Sequence, residues 1–119
     1  MTFGATLAFG SLQPANGLYP YAIHFIMIKT FRHKGLKAFF EDGSTAGIQA
    51  KHAPRLGRML RVLDSAAKPQ DMNQVGWKLY LLKGRDLKGH YSVWVSGNWR
   101  LTFIFHGTDA ELVDYQDYQ

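Results

Sequence analysis

Cysteine is absent from all 119 residues, which excludes disulfides, thiolate zinc sites and thiol nucleophiles. That absence fits a reducing cytoplasm. Residues 1–26 contain no Asp, Glu, Lys or Arg, so every formal charge lies between Lys29 and Asp117. No basic stretch precedes the apolar residues of this segment, which makes a secretory leader a poor match. Gly10, Pro14, Asn16, Gly17 and Pro20 interrupt it far short of the roughly 20 continuous apolar residues of a membrane span. The histidines (His24, His33, His52, His90 and His106) show neither an HExxH motif nor an i,i+4 pair, so no metal is expected. Gly84 and Gly89 have the spacing of a phosphate loop, but His90-Tyr91 stands where Lys-Ser/Thr is required, and the segment reads as a turn.

What is present is a chain 46% hydrophobic and 14% aromatic, enough for one modest globular core and too short for two. Residues 27–119 read as a complete small domain, and 1–26 as an uncharged N-terminal extension with little packing role, such as an upstream mis-called start would add. The 14 basic and 9 acidic residues give a net charge of +5. That balance suits a polyanion binder or a mildly basic solvated surface, and composition does not separate the two.

Hydrophobic spacing predicts a strand at Met27–Phe31, a short helix at Lys34–Glu41 ended by Gly43, and a second helix over Gln49–Ala66. The second helix should be best formed after Pro54, with Leu56, Met59, Leu60 and Leu63 on one face. Lys51, His52, Arg55, Arg58 and Arg61 would form its basic outer side, able to track a phosphate backbone or simply to meet water. After a polar connector containing Pro69 come Trp77–Leu82, a loop from Lys83 to Gly89, and three alternating segments at 90–95, 99–105 and 110–115. Gly97-Asn98 between two alternating runs is a hairpin signal. The order βααββββ implies an α+β fold, two N-terminal helices packed on a mainly antiparallel sheet of four to five strands.

Two clusters bear chemistry. Lys78, Lys83, Arg85, Lys88 and Arg100 cluster on the predicted sheet side, and arginine offers a rigid fork of donors for phosphate. The ending Asp114-Tyr115-Gln116-Asp117-Tyr118-Gln119 supplies carboxyl and phenol groups that can move protons or stack on a base. The competing readings are a strand-edge charge for Arg100, an ordinary loop charge for Lys83 and a solvated acidic tail. Trp77 and Trp94 fit sheet packing, whereas Trp99, beside the turn, could also meet a base.

Taken together, Met27-Ile28-Lys29-Thr30-Phe31-Arg32-His33-Lys34-Gly35-Leu36-Lys37, the strand Lys78-Leu79-Tyr80-Leu81-Leu82-Lys83-Gly84, the hairpin Val95-Ser96-Gly97-Asn98-Trp99-Arg100-Leu101-Thr102-Phe103 and the tail Asp114-Tyr115-Gln116-Asp117-Tyr118 resemble the HigB toxins of the RelE superfamily. The resemblance covers residues 27–119. It implies a RelE-like fold and a cytoplasmic, metal-independent, cofactor-free ribonuclease that enters the ribosome and cuts mRNA. It further implies a helix-turn-helix antitoxin of the HigA type, with operator DNA met only through that antitoxin. By the same resemblance Lys83 and Arg100 would stabilise the transition state, while Asp117 and Tyr118 would form the C-terminal part of the active site. Lys78, Arg85, Lys88, Trp99 and Gln119 would hold RNA. Many HigB proteins carry histidine at the positions of Tyr80 and Gln119 in this chain. A tyrosine hydroxyl ordinarily titrates at about 10, and glutamine transfers no proton, so either an attenuated nuclease or an antitoxin-binding co-repressor is implied. The gyrase-poisoning ParE toxins share the fold, but the Asp-Tyr tail and Lys-Gly strand favour the ribonuclease branch.

Overall fold

The computed structural model describes residues 28–117, so residues 1–27, including the start of the expected first strand, and Tyr118 and Gln119 lie outside the described residues. Helix α1 spans Lys34–Asp42. His33 starts it, its Nδ1 accepting the Leu36 N–H at 2.9 Å, and Gly43 ends it by donating its N–H to the Phe39 carbonyl. The segment expected as one long helix divides into a 3₁₀ turn, Ala50–His52, and helix α2, Ala53–Ser65. Pro54 has no N–H to donate to the Ala50 carbonyl, which instead takes the Ala53 N–H in the tighter turn. Leu56, Met59, Leu60 and Leu63 are all buried, as the 3,1,3 spacing of one helical face requires.

Four antiparallel strands follow in sheet order: β1 (Tyr80–Leu81), β2 (Tyr91–Ser96), β3 (Trp99–His106) and β4 (Asp109–Asp117). The class is therefore α+β. The expected strand Trp77–Leu82 shrinks to two residues because Lys78 adopts φ +52, a left-handed conformation that breaks extended pairing. The loop after it contains a 3₁₀ turn at Arg85–Leu87. Gly97 and Asn98 make the two-residue hairpin turn, and Gly97 takes φ +54 at its first position, which a side chain would oppose.

The expected first strand is reduced to parallel bridges, Ile28 to Ala110 and Phe31 to Val113. Between them β4 bulges at Leu112, φ +53, whose N–H is taken by the Thr30 hydroxyl at 2.8 Å. The extra residue turns Ala110 and Val113, three apart in sequence, to the same buried face. Ile28 is anchored from the other side by the buried Asp64, whose Oδ1 accepts its N–H at 3.3 Å. The core joins the α2 row to Val93, Val95, Leu101, Phe103, Val113 and Tyr115, with Trp77 and Met72 closing it.

Candidate active site

Strand register decides which candidate residues share a surface, because directly opposed residues of antiparallel strands point to the same face. Tyr80, Ser92, Thr102 and Asp114 form one row across all four strands, and Trp94, Arg100 and Gln116 form the next. Both rows lie on the face opposite Val93, Leu101 and Tyr115, which pack into the core. This outer face is where Tyr80 (56% exposed) and Arg100 stand. Ser92 and Thr102 are buried there beneath longer neighbours, and Gln116 Nε2 spans from Thr102 Oγ1 (3.2 Å) to Asp114 Oδ2 (2.9 Å).

Arg100 is held along one edge only. Its Nη1 donates to the carbonyls of Gly97 (3.1 Å) and Trp99 (3.2 Å), folding the guanidinium over the hairpin turn. Its Nε and Nη2 make no hydrogen bond among the described residues, and the same residues offer it no carboxylate at ion-pair distance. Lys78, Lys83 and Lys88 are exposed and equally without an acidic partner among the described residues. Unpaired cations exposed on a small domain create a field that draws in a polyanion.

Asp117 does not share the outer face with Arg100. It pairs with Trp99 at the end of β4, on the core side of the sheet and one register position from Arg100, and is itself exposed. Trp99 stacks on Tyr115 with ring centroids 4.4 Å apart and remains partly exposed. Lys83 stands two residues past the end of β1, Lys88 lies in the loop beyond it, and Arg85 opens the 3₁₀ turn between them. The structure thus groups Tyr80 and Arg100 on one face, brings the Lys78 ammonium to within 4.4 Å of the centre of the Trp94 ring on that face, and places Asp117 at its rim.

The basic side of α2 is smaller than the spacing suggested. His52 is 4% exposed and turns inward, its Nδ1 lying 2.6 Å from the Tyr115 hydroxyl. Burial, and secondarily the neighbouring Lys51 charge, lowers its pKa below the ordinary histidine value. The Tyr115 hydroxyl is pushed upward by burial, against a hydrogen bond from the Gln49 N–H, with the Asp117 charge adding to the rise. Arg55 also leaves the solvated stripe: it donates to the Gly76 carbonyl at 2.8 Å and to the Trp94 carbonyl at 3.1 and 3.2 Å.

Sequence reasoning gives Trp94 to sheet packing and Thr102 no part in the site, and it reads Asp114 and Gln116 only as members of the tail. A two-residue turn at Gly97-Asn98 alone would set Val95 opposite Arg100; the bulge between Trp94 and Ser96 puts Trp94 there instead, and nothing local in the sequence announces it. Among the described residues no group of three or more His, Asp or Glu side chains is arranged to hold a metal, and no helix is long and apolar enough to cross a membrane.

Residues 29–119 match the family described as the RelE-like toxin of the type II toxin-antitoxin system HigB. The chain is also 44% identical over 92 residues to the endoribonuclease HigB of Proteus vulgaris, an alignment covering 77% of this chain and 99% of that protein. With the match spanning both helices, the sheet and the tail, the chain belongs to the HigB family of RelE-like toxins of type II toxin-antitoxin systems.

Proposed function

We propose that this chain is an endoribonuclease that cuts mRNA on the ribosome and is silenced by a HigA-type helix-turn-helix antitoxin, through which alone it meets operator DNA. The observation that carries the reading is Arg100: anchored through Nη1, with its other donors unengaged among the described residues, on a face that also presents Tyr80 and, against Trp94, the Lys78 ammonium. The 44% identical relative named as an endoribonuclease supports the same chemistry.

In that chemistry the protein supplies no nucleophile. The RNA 2′-OH loses its proton, its oxygen forms the new bond to phosphorus, and the 5′ oxygen leaves with a proton, giving a cyclic phosphate and a 5′-OH. Negative charge grows on the equatorial oxygens, where Arg100 and Lys83 act. Asp117 and Tyr118 complete the C-terminal side, while Lys78, Arg85, Lys88, Trp99 and Gln119 hold the strand. Tyr80 stands where many relatives have a proton-transferring histidine, so cleavage is attenuated and rests mainly on positioning and charge. The toxin domain is 27–119, with the RelE-like fold, acting in the cytoplasm; 1–26 is an extension outside it.

Induced expression should arrest growth and leave new 5′ ends in mRNA, and Arg100→Ala or Asp117→Ala should relieve both. Harmless expression of the unaltered chain at high level would sink the reading. The replacement of both family histidines, at Tyr80 and Gln119, favours one second reading: a weak enzyme that binds its antitoxin and co-represses its operon. Intact mRNA on programmed ribosomes together with tight antitoxin binding would select it.

A further inference from the structure

Lys78 is held in place in an unusual way. It is one of two non-glycine residues with positive φ among those described, and its ammonium stands 4.4 Å from the centre of the Trp94 ring. The Arg55 guanidinium lies 5.4 Å from the same ring. A cation this close to an indole face is attracted by the ring quadrupole, so Trp94 fixes a side chain that would otherwise sample many rotamers. The backbone beneath is clamped too. β1 ends its pairing at Tyr80, the Trp77 carbonyl accepts the Trp94 N–H at 2.7 Å, and Arg55 fills the edge left over. Its guanidinium bridges the carbonyls of Trp94 and Gly76, two residues before Lys78. Trp94 is the register partner of Arg100, and its Nε1 and the Arg100 Nη1 both donate to the Gly97 carbonyl, at 2.9 and 3.1 Å, so the ring that Lys78 covers adjoins the cation that the proposed function places at the scissile phosphate.

We infer that Arg55 and Trp94 are positioning residues that hold Lys78 beside Arg100 as a second phosphate subsite, which binds the RNA backbone next to the cleaved bond. This rests on the ribonuclease reading and adds to it. The left-handed Lys78 is accounted for, since a strained backbone persists where surrounding contacts over-determine it. So is the indole, which has no need to stand at the end of a polar row for packing alone. Lys78 has no acidic partner among the described residues, as a phosphate ligand requires.

The test is the salt dependence of binding to a fluorescent, uncleavable 2′-O-methyl oligoribonucleotide, measured with the full chain. Removing one cation from the phosphates of single-stranded RNA should lower the log–log slope by about 0.7. Lys78→Ala and Trp94→Leu should each lower it by about one such step. Their double variant should fall no further than either, and Trp94→Phe, which keeps an aromatic face, should recover the slope. Lys78→Gly relieves the backbone strain, so it should fold at least as well as the parent and still show the lowered slope. A wild-type slope in Trp94→Leu or Lys78→Gly, or additive effects in the double variant, overturns the subsite. If those variants bind like the parent while Arg100→Ala abolishes binding, the subsite alone fails. If the parent shows no binding at low salt, the subsite fails, while the ribonuclease reading stands or falls on cleavage of ribosome-bound mRNA.

Discussion

The Nδ1 of His52 lies 2.6 Å from the Tyr115 hydroxyl, joining the turn before α2 to the last strand inside the core. The hydroxyl also accepts the Gln49 N–H at 3.3 Å, and the direction of its bond with Nδ1 follows the imidazole tautomer. Protonating His52 would place a charge in the core, and secondarily one near the Lys51 ammonium. Its folded pKa is accordingly below the ordinary 6.5. The unfolded chain therefore takes up this proton more readily than the folded one. Stability is complete above about 6.5 and declines as pH falls from there to the depressed folded value. Urea unfolding between pH 7.5 and 5 should show this slope, and His52→Gln should flatten it; an equal slope in both proteins would remove His52 as its source.

Removing the hydroxyl isolates the other half of the pair. Tyr115→Phe keeps the ring stacked on Trp99 but leaves a buried Nδ1 without its hydrogen-bond partner. A loss of about 1–3 kcal/mol is expected, the cost of an unsatisfied buried polar atom. A double-mutant cycle with His52→Leu should recover part of it. Simple additivity would mean that the interaction contributes nothing.

Gly35 in α1 and Gly47 in the following loop touch backbone to backbone. A Cβ at Gly35 would fall 2.6 Å from the Gly47 carbonyl oxygen and 2.7 Å from its Cα, distances no real methyl group tolerates. Gly35→Ala should therefore destabilise by about 1–3 kcal/mol although alanine favours helix. Thermal melts decide it, and an unchanged or raised Tm would show that the loop yields freely.

Much of this architecture was legible. The α2 row, the Gly97-Asn98 hairpin and the alternation that separates Arg100 from Trp99 follow from spacing and turn chemistry, and they place the outer face correctly. What was hidden depended on contacts distant in sequence. His52 sits in a run of basic residues, and only the return of β4 carries Tyr115 to it, 63 positions later. The bulge at Leu112 has no local signal, because leucine does not favour positive φ; the Thr30 hydroxyl imposes it. Lys78 likewise reads as a strand residue until Trp94 and Arg55 are in place.

His90 is 6% exposed, and neither ring nitrogen has a hydrogen-bond partner among the described residues. Its backbone does the structural work: the carbonyl accepts the Leu82 N–H and its N–H donates to Leu87. A buried polar ring without partners costs stability relative to an apolar group of similar size. His90→Leu should hold or raise stability, by up to about 2 kcal/mol. A clear loss in chemical denaturation would reveal a role for the imidazole beyond these backbone bonds.

Tyr80 offers the most direct test of attenuation. It stands in register with Ser92, one row from Arg100, more than half exposed, and its hydroxyl makes no hydrogen bond among the described residues. A substitution there disturbs no packing, so a change in rate reports chemistry. Tyr80→His supplies a group that exchanges protons near neutrality, and a well-placed general base contributes about 10²–10⁴-fold. With Gln119 unchanged, only part of that should appear, about 10-fold or more in single-turnover cleavage of ribosome-bound mRNA. The gain should vanish below the histidine's pKa and be absent from the parent. If Tyr80→His leaves the rate unchanged while Arg100→Ala abolishes it, proton transfer at this position does not limit cleavage. The tyrosine would then be a working replacement and the toxin not attenuated at this position.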